Sequence, residues 1–161
     1  MTAESKPKTQ KEKYQESLLD PVFVKQEWDG KGVDQLLQWL VDHTNNNPDN
    51  RHVITLTVGG NLISGTLISV NAYLDLWAEE LSGHFTKDGG ADDLMRDTVL
   101  QWKTKPDINP GDLPPAQFVH LEGCEVYTSS GAPILEGGVL WRGKISSVDG
   151  FNLSKINHVT K

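Results

Sequence analysis

The segment HVITLTVGGNLISGTLISV, which begins at His52, restricts the possible folds more than any other part of the chain. Before the glycines, apolar residues such as Ile54 and Leu56 alternate with threonines, as in a strand with one buried face. Gly59 and Gly60 can supply the positive φ that a tight turn between antiparallel strands requires, and a second apolar run follows them. The sequence therefore predicts a β-hairpin here, and with it an antiparallel sheet.

Three stretches outside this hairpin have apolar residues at helical spacing. The first begins near Val33 and ends at NNNPDN. The second covers roughly residues 72–84, with Asn71 in position to cap its N-terminus, and the third covers about 92–103 and is stopped by Pro106. We therefore expect about three helices.

Strand character returns in the C-terminal third of the chain. FVHLEGCEVYTS favours a strand on both sides of Glu122-Gly123, which is either a tight turn or a bulge in one bent strand. VLWRGKISSVDGFNLSKI predicts a strand, a turn at Asp149-Gly150 and another strand. The fold class is therefore α+β with a mainly antiparallel sheet.

Two similar segments, SGTLISVNAY from Ser64 and RGKISSVDGF from Arg142, lie 78 residues apart. In each, alternate positions place large apolar residues around a glycine, Gly65 or Gly143, which permits a bulge or the close approach of another backbone. The segments share no pair of acid and base groups, so their similarity indicates a repeated folding unit rather than a repeated binding motif. We expect a sheet built from two similar hairpins, which can curl into a small barrel of the Sm-like or SH3-like kind.

The N-terminal residues differ in composition from the rest of the chain. They have few apolar side chains, no period, and lysines interleaved with glutamates. Such a segment cannot offset the entropy of ordering, so residues 1–20 are predicted to be a disordered polyampholyte tail. Residues 21–161 are predicted to form a single α+β domain, with a mobile proline-rich surface loop near 104–117.

Charge and cysteine content narrow the class of partner. The formal net charge of -7 argues against nucleic acid, because affinity for phosphate backbones comes largely from Lys and Arg. Cys124 is the only cysteine, so an intrachain disulfide is excluded and the reducing cytoplasm is the expected compartment. The N-terminus lacks the apolar core of a signal peptide, and no stretch approaches the ~20 apolar residues of a membrane span. We therefore expect a cytoplasmic protein with no membrane partner.

The sequence contains no signature of catalysis. The five histidines do not fall at metal-ligand spacing with one another or with Cys124, and no GxSxG elbow is present. His120 and Cys124 are four residues apart, which would suit a nucleophile and its base, but two core positions near a turn explain them better. We expect no enzyme activity, no catalytic or metal-binding residues, and no cofactor.

Five tryptophans is a large number for 161 residues. Trp77, Trp102 and Trp141 fall on predicted core faces and Trp39 flanks the apolar face of the first helix, whereas Trp28 has no assigned face. Core packing is the simpler interpretation. The alternative is a partner surface, where tryptophan often anchors binding.

Three blocks taken in order, VGGNLISGTLISVNAYLDL, FVHLEGCEVY and GVLWRGKISSVDGFNLSKI, resemble the gas vesicle accessory protein U (GvpU) family. The C-terminal LWRGKISSVDGFNLSKI is the most specific part of the resemblance. With the preceding helix, the similarity covers about residues 31–157 and leaves out the N-terminal tail and the segment around 86–116.

This resemblance implies a non-enzymatic, vesicle-associated protein that influences gas vesicle assembly or clustering. It would act through self-association and through binding to the vesicle shell or to other gas vesicle proteins. The candidate interaction or motif residues are Trp141, Arg142, Lys144, Asp149 and Phe151. Arg142, expected on the opposite face from Trp141, is the first candidate for contact with a partner. An alternative is a general oligomeric small-barrel, protein-binding module that is not tied to gas vesicles.

Overall fold

A computed structural model describes residues 8–28, 32–84, 91–105, 108, 113–128, 133–134 and 138–156. The chain divides into two compact units, residues 1–33 and 34–161. Much of the predicted mobile loop at 104–117 lies outside the described residues, and the predicted boundary at residue 20 stays a prediction.

The first unit contains two helices that apolar periodicity did not predict, α1 (Gln10–Ser17) and α2 (Pro21–Trp28). Helix α1 begins with a capping box, in which the Thr9 side chain accepts from the Glu12 N–H and the Glu12 carboxylate accepts from the Thr9 N–H at 2.7 Å. Such a cap satisfies backbone donors locally and needs no apolar face. The helix count predicted from periodicity was therefore wrong, with five helices among the described residues instead of about three.

The second unit is built on one five-stranded antiparallel sheet with the order β4-β3-β2-β1-β5. The strands are β1 (His52–Val58), β2 (Asn61–Leu67), β3 (Phe118–Tyr127), β4 (Val139–Lys144) and β5 (Gly150–Asn152). Its helices are α3 (Gln35–Asn46), α4 (Val70–Gly83) and α5 (Ala91–Leu100). The α+β class is confirmed, and β4 and β5 form the two edges.

The three predicted helices are present with adjusted ends. Asp34 caps α3 and its carboxylate accepts from the N–H groups of Leu36 and Leu37, both at 2.9 Å. Ser69 caps α4 in place of the predicted Asn71, which instead accepts from the Thr104 N–H through its side chain at 2.9 Å. The predicted cap was wrong because Asn71 is used to fasten the chain that follows α5.

The hairpin of β1 and β2 is confirmed, since Gly59 and Gly60 both adopt positive φ, 56° and 80°. The second hairpin, predicted for the C-terminal segment, is absent, so this prediction was wrong. After β4 the chain forms a 3-10 turn at Ile145–Ser147, and β5 then pairs with β1 instead of with β4. Because β4 and β5 lie at opposite edges, the sheet is open and does not close into a barrel.

Strand β3 is continuous through Glu122-Gly123. Of the two predicted possibilities at this dipeptide, the structure has the bulge and not the tight turn. Three residue steps on β3, from Glu122 to Glu125, face two on β2, from Thr66 to Ser64. Gly123 carries the bulge with φ of 55°. One extra residue reverses the alternation of side chains beyond it, so positions four apart across the bulge point to opposite faces.

One face of the sheet carries the apolar core. Strand pairing places the fully or nearly fully buried Ile54, Leu56, Ile63, Leu67 and Leu121 on it. The threonines of β1 had suggested that the other face is exposed to solvent, but part of it is covered. Thr55 is only 2% exposed, because its hydroxyl lies 2.6 Å from the Ser154 carbonyl oxygen and 3.0 Å from Ser64 Oγ. The segment after β5 covers this face of the hairpin.

The two similar segments begin in β2 and β4, which flank β3 on its two sides. Their glycines leave room for different neighbours. A Cβ on Gly65 would lie 3.0 Å from the Glu122 carbonyl oxygen, on the bulged backbone, whereas a Cβ on Gly143 would collide with the Trp141 ring. The similarity therefore reflects packing against a shared central strand, although it does not create two hairpins.

We predict that Gly65→Ala destabilises the fold, because its methyl group would press on the backbone of Glu122 and Cys124, which cannot move as a side chain can. The expected loss in the free energy of unfolding is about 1–3 kcal/mol, measured by urea denaturation. Gly83→Ala at the end of α4 is the matched control, since a Cβ there meets nothing within 4 Å. Equal midpoints for the two variants would contradict the close packing of Gly65.

Candidate interaction surface

The five candidate residues lie at the two edges of the sheet. Trp141, Arg142 and Lys144 are on β4, whereas Asp149 precedes β5 and Phe151 lies in it. Four strand spacings separate the two groups in the order β4-β3-β2-β1-β5. The structure therefore does not bring all five into a single site.

Asp149 and Phe151 have partners inside the fold. The Asp149 carboxylate accepts from the Gly59 N–H at 2.8 Å, and its own N–H donates to the Thr57 carbonyl at 2.8 Å. Phe151 is half-buried opposite Leu56, on the core face. These contacts hold β5 to the hairpin, so structural roles account for both residues.

Arg142 and Trp141 occupy opposite faces of β4. Arg142 pairs with His120 and is exposed, and its guanidinium lies 4.0 Å from the centre of the Phe118 ring in a cation–π contact. Trp141 pairs with Leu121, and its half-buried ring lies across Gly143 on the core face. The edge strand thus presents a cation on one side and an indole on the other.

A groove of about 280 Å³ runs between α4 and this edge strand, and no sequence motif had indicated it. Its lining consists of Tyr73, Trp77, Glu80, Leu81, His84 and Leu140. Leu140 lies two residues before Arg142 on the same side of β4, so the groove adjoins the arginine. The groove combines aromatic surface with one carboxylate beside an exposed cation.

Several tryptophans are more exposed than a core role allows. Trp102 is 71% exposed, Trp39 52% and Trp77 38%. The predicted core positions of Trp77 and Trp102 were therefore wrong, while the side chain of Trp28 lies outside the described residues. Helical spacing predicted Trp77 on the apolar face of α4 and Trp102 on that of the third helix, but Trp77 lines an open groove and Trp102 lies beyond the end of α5 at Leu100.

His120 and Cys124 are both buried but lie on opposite faces of β3. His120 pairs with Arg142, whereas Cys124, beyond the bulge, pairs with Val139 on the side of Trp141. Burial, with a smaller contribution from the neighbouring Glu125 carboxylate, raises the pKa of the Cys124 thiol to about 12. The thiol and imidazole therefore do not form the nucleophile and base that their spacing had allowed.

The His120 imidazole is enclosed, and no described residue hydrogen-bonds to either of its nitrogens. Its ring centre lies 4.6 Å from that of Tyr73 on α4. Burial lowers its pKa to about 4, and the positive charge of Arg142 acts in the same direction. This histidine is neutral at pH 7 and helps to seat α4 on the sheet.

We predict that His120 makes the fold acid-sensitive. Its folded pKa lies below the unfolded value, so its contribution is complete above about pH 6.5 and falls as the pH drops towards 4, by ~3 kcal/mol in total. Urea denaturation between pH 7 and 4 measures this slope.

His120→Leu should flatten this part of the profile, whereas His84→Gln, at an exposed histidine, should leave it unchanged. Identical profiles for the wild type and His120→Leu would contradict the burial of a neutral imidazole.

The described ranges contain neither a metal-binding cluster nor a membrane-spanning helix. No group of three or more His, Cys, Asp or Glu side chains in them could hold a metal ion. No helix in those ranges has the length and apolarity needed to cross a bilayer.

Comparison with known families identifies one relationship. A family model described as gas vesicle protein GvpU-like matches residues 34–156, about three quarters of the chain. The match begins at the N-cap of α3 and ends four residues beyond β5, so it includes the sheet, the groove and β4. No curated protein and no solved structure matched significantly.

Proposed function

The chain belongs to the GvpU-like family of gas vesicle proteins, and we propose that it is a non-enzymatic accessory protein that influences vesicle assembly or clustering. It does so by associating with itself and with the vesicle shell or other gas vesicle proteins, in the cytoplasm. The family match across 34–156 is the observation that carries this proposal.

The surface of the second unit supports a role in association. Trp39, Trp77 and Trp102 are exposed, and exposed tryptophans often anchor protein partners. The sheet ends in an edge strand with an adjoining groove, and extended chains commonly add to such edges. These features suit protein partners, whereas the net charge of -7 disfavours nucleic acid.

The separation of His120 from Cys124 supports a non-enzymatic role, because it removes the one nucleophile and base that the sequence had offered. No cofactor is needed for association. The alternative function, a general small-barrel binding module, rested mainly on a closed sheet, and the sheet is open.

We predict that purified protein floats with purified gas vesicles in a centrifuged suspension. Vesicles collapsed by pressure provide the first control, because they carry the same proteins but no longer float. An unrelated acidic protein of similar net charge provides the second. The measurement is the fraction of protein in the floating layer, together with vesicle clustering by light microscopy. Protein that stays in the subnatant and leaves the vesicles dispersed at every concentration would contradict the proposal.

A further inference from the structure

Within the part of the chain that the structure describes, the backbone of β4 has hydrogen-bonding groups that no other strand pairs with. The Ile145 N–H donates to the Gln117 carbonyl at 3.0 Å, which identifies these two residues as a hydrogen-bonded pair of the β3–β4 ladder. Such pairs alternate along an antiparallel ladder, so Gly143 and Trp141 also bond to β3. Leu140, Arg142 and Lys144 consequently direct their N–H and C=O groups away from it.

The other edge of the sheet is less suited to pairing. Strand β5 has three residues, whereas β4 has six, and short edge strands are one way in which proteins prevent pairing. Among the described residues, no backbone group outside the β3–β4 ladder bonds to the outward groups of β4. The edge at β4 is therefore the one with room for another strand.

We propose that β4 pairs antiparallel with β4 of a second copy across a two-fold axis at Trp141, which joins two sheets into one. This inference rests on the self-association in the proposed function and names its surface. Identical edges can meet in this way because antiparallel pairing of a strand with itself is compatible with two-fold symmetry.

Five two-fold registers, centred on the residues from Leu140 to Lys144, connect outward groups with outward groups. The registers centred on Arg142, Gly143 and Lys144 set two positively charged side chains directly opposite each other, which is unfavourable. A register centred on Leu140 is short, because Gly138, with φ of 73°, ends the extended backbone before Val139. A register centred on Trp141 uses the strand from Val139 to Gly143 and avoids both problems.

In this register, Leu140 of each copy bonds to Arg142 of the other, and the two Trp141 residues are directly opposite on the core side of the sheet. Cross-strand aromatic pairs of this kind stabilise antiparallel sheets. The half-buried Trp141 rings gain further burial, so the apolar contact lies at the axis.

Charge complementarity also favours a second copy of this chain. An arginine opposite Leu140 lies beside the groove, where Trp77 and Glu80 provide an aromatic surface and a carboxylate. Arg142 is exposed, so its guanidinium can turn from Phe118 of its own copy to Glu80 of the other. Each copy supplies both the cation and the groove, so the interaction forms twice.

A cysteine cross-link tests the register. In a non-hydrogen-bonded antiparallel pair the Cα atoms are ~4.5 Å apart, close enough for a disulfide, so oxidised Trp141→Cys should give a covalent dimer. Lys144→Cys is the matched control on the same strand. Its two thiols would be six residues apart along the paired strands, about 20 Å, and should not cross-link. The native Cys124 is fully buried and should not form a cross-link. Equal cross-linking of the two variants would overturn the register.

A charge exchange tests the interface without replacing Trp141. The wild type should sediment as a monomer–dimer equilibrium, and Arg142→Glu should weaken the dimer about ten-fold or more, because a carboxylate would then meet Glu80. The double variant Glu80→Arg/Arg142→Glu should restore it. Failure of this rescue in variants that remain folded by circular dichroism would overturn the contact.

The vesicle flotation assay separates this inference from the proposed function. A dimer disrupted by Arg142→Glu, with the rescue, supports the pairing whether or not the protein floats. Wild-type protein that is monomeric at all concentrations but floats with vesicles would overturn the pairing and leave the vesicle role intact. If flotation of such a monomer is lost in Arg142→Glu, the edge receives a strand of a vesicle protein instead of a second copy.

Discussion

Strand β3 bonds to β2 on one side and to β4 on the other, and the extra residue at Glu122-Gly123 interrupts both ladders. Much of the second unit depends on this arrangement. Gly65 is required where the bulged backbone comes close to β2. Beyond the bulge the faces exchange, which places Cys124 in the core and leaves His120 beneath α4. On the far side, the same ladder determines which groups of β4 remain unpaired.

Local chemistry made part of this fold predictable. The turn at Gly59-Gly60 depends only on the two glycines themselves. Helices α3 and α4 depend on an apolar period and on a capping side chain within their own segments. The partners of a strand depend on distant residues instead. Nothing near Asp149 signals that the following strand pairs with β1, because that choice depends on the Gly59 and Thr57 backbone. The capped helix α1 was missed because it has no apolar stripe to detect.

Only part of the candidate surface could be predicted from the sequence. Alternation along a strand correctly separates Arg142 from Trp141, and a glycine beside a large ring indicates close packing. The groove combines α4 with a strand more than fifty residues later, so no local pattern reveals it. The family match connects the chain to gas vesicles, while the residues proposed for self-association come from the geometry. The proposed pairing of this edge, beside aromatic side chains, would bring copies together without any catalytic group.

Hydrogen exchange of the β4 amides, followed by NMR from dilute to concentrated protein, tests whether β4 is the surface through which two copies pair. The amides of Trp141 and Gly143, which bond to β3, should be protected at every concentration. The amides of Leu140 and Arg142 should exchange rapidly in dilute protein and become protected as the concentration rises. Rapid exchange of these two amides in protein shown to be dimeric, with new protection elsewhere, would exclude β4 as the dimer interface.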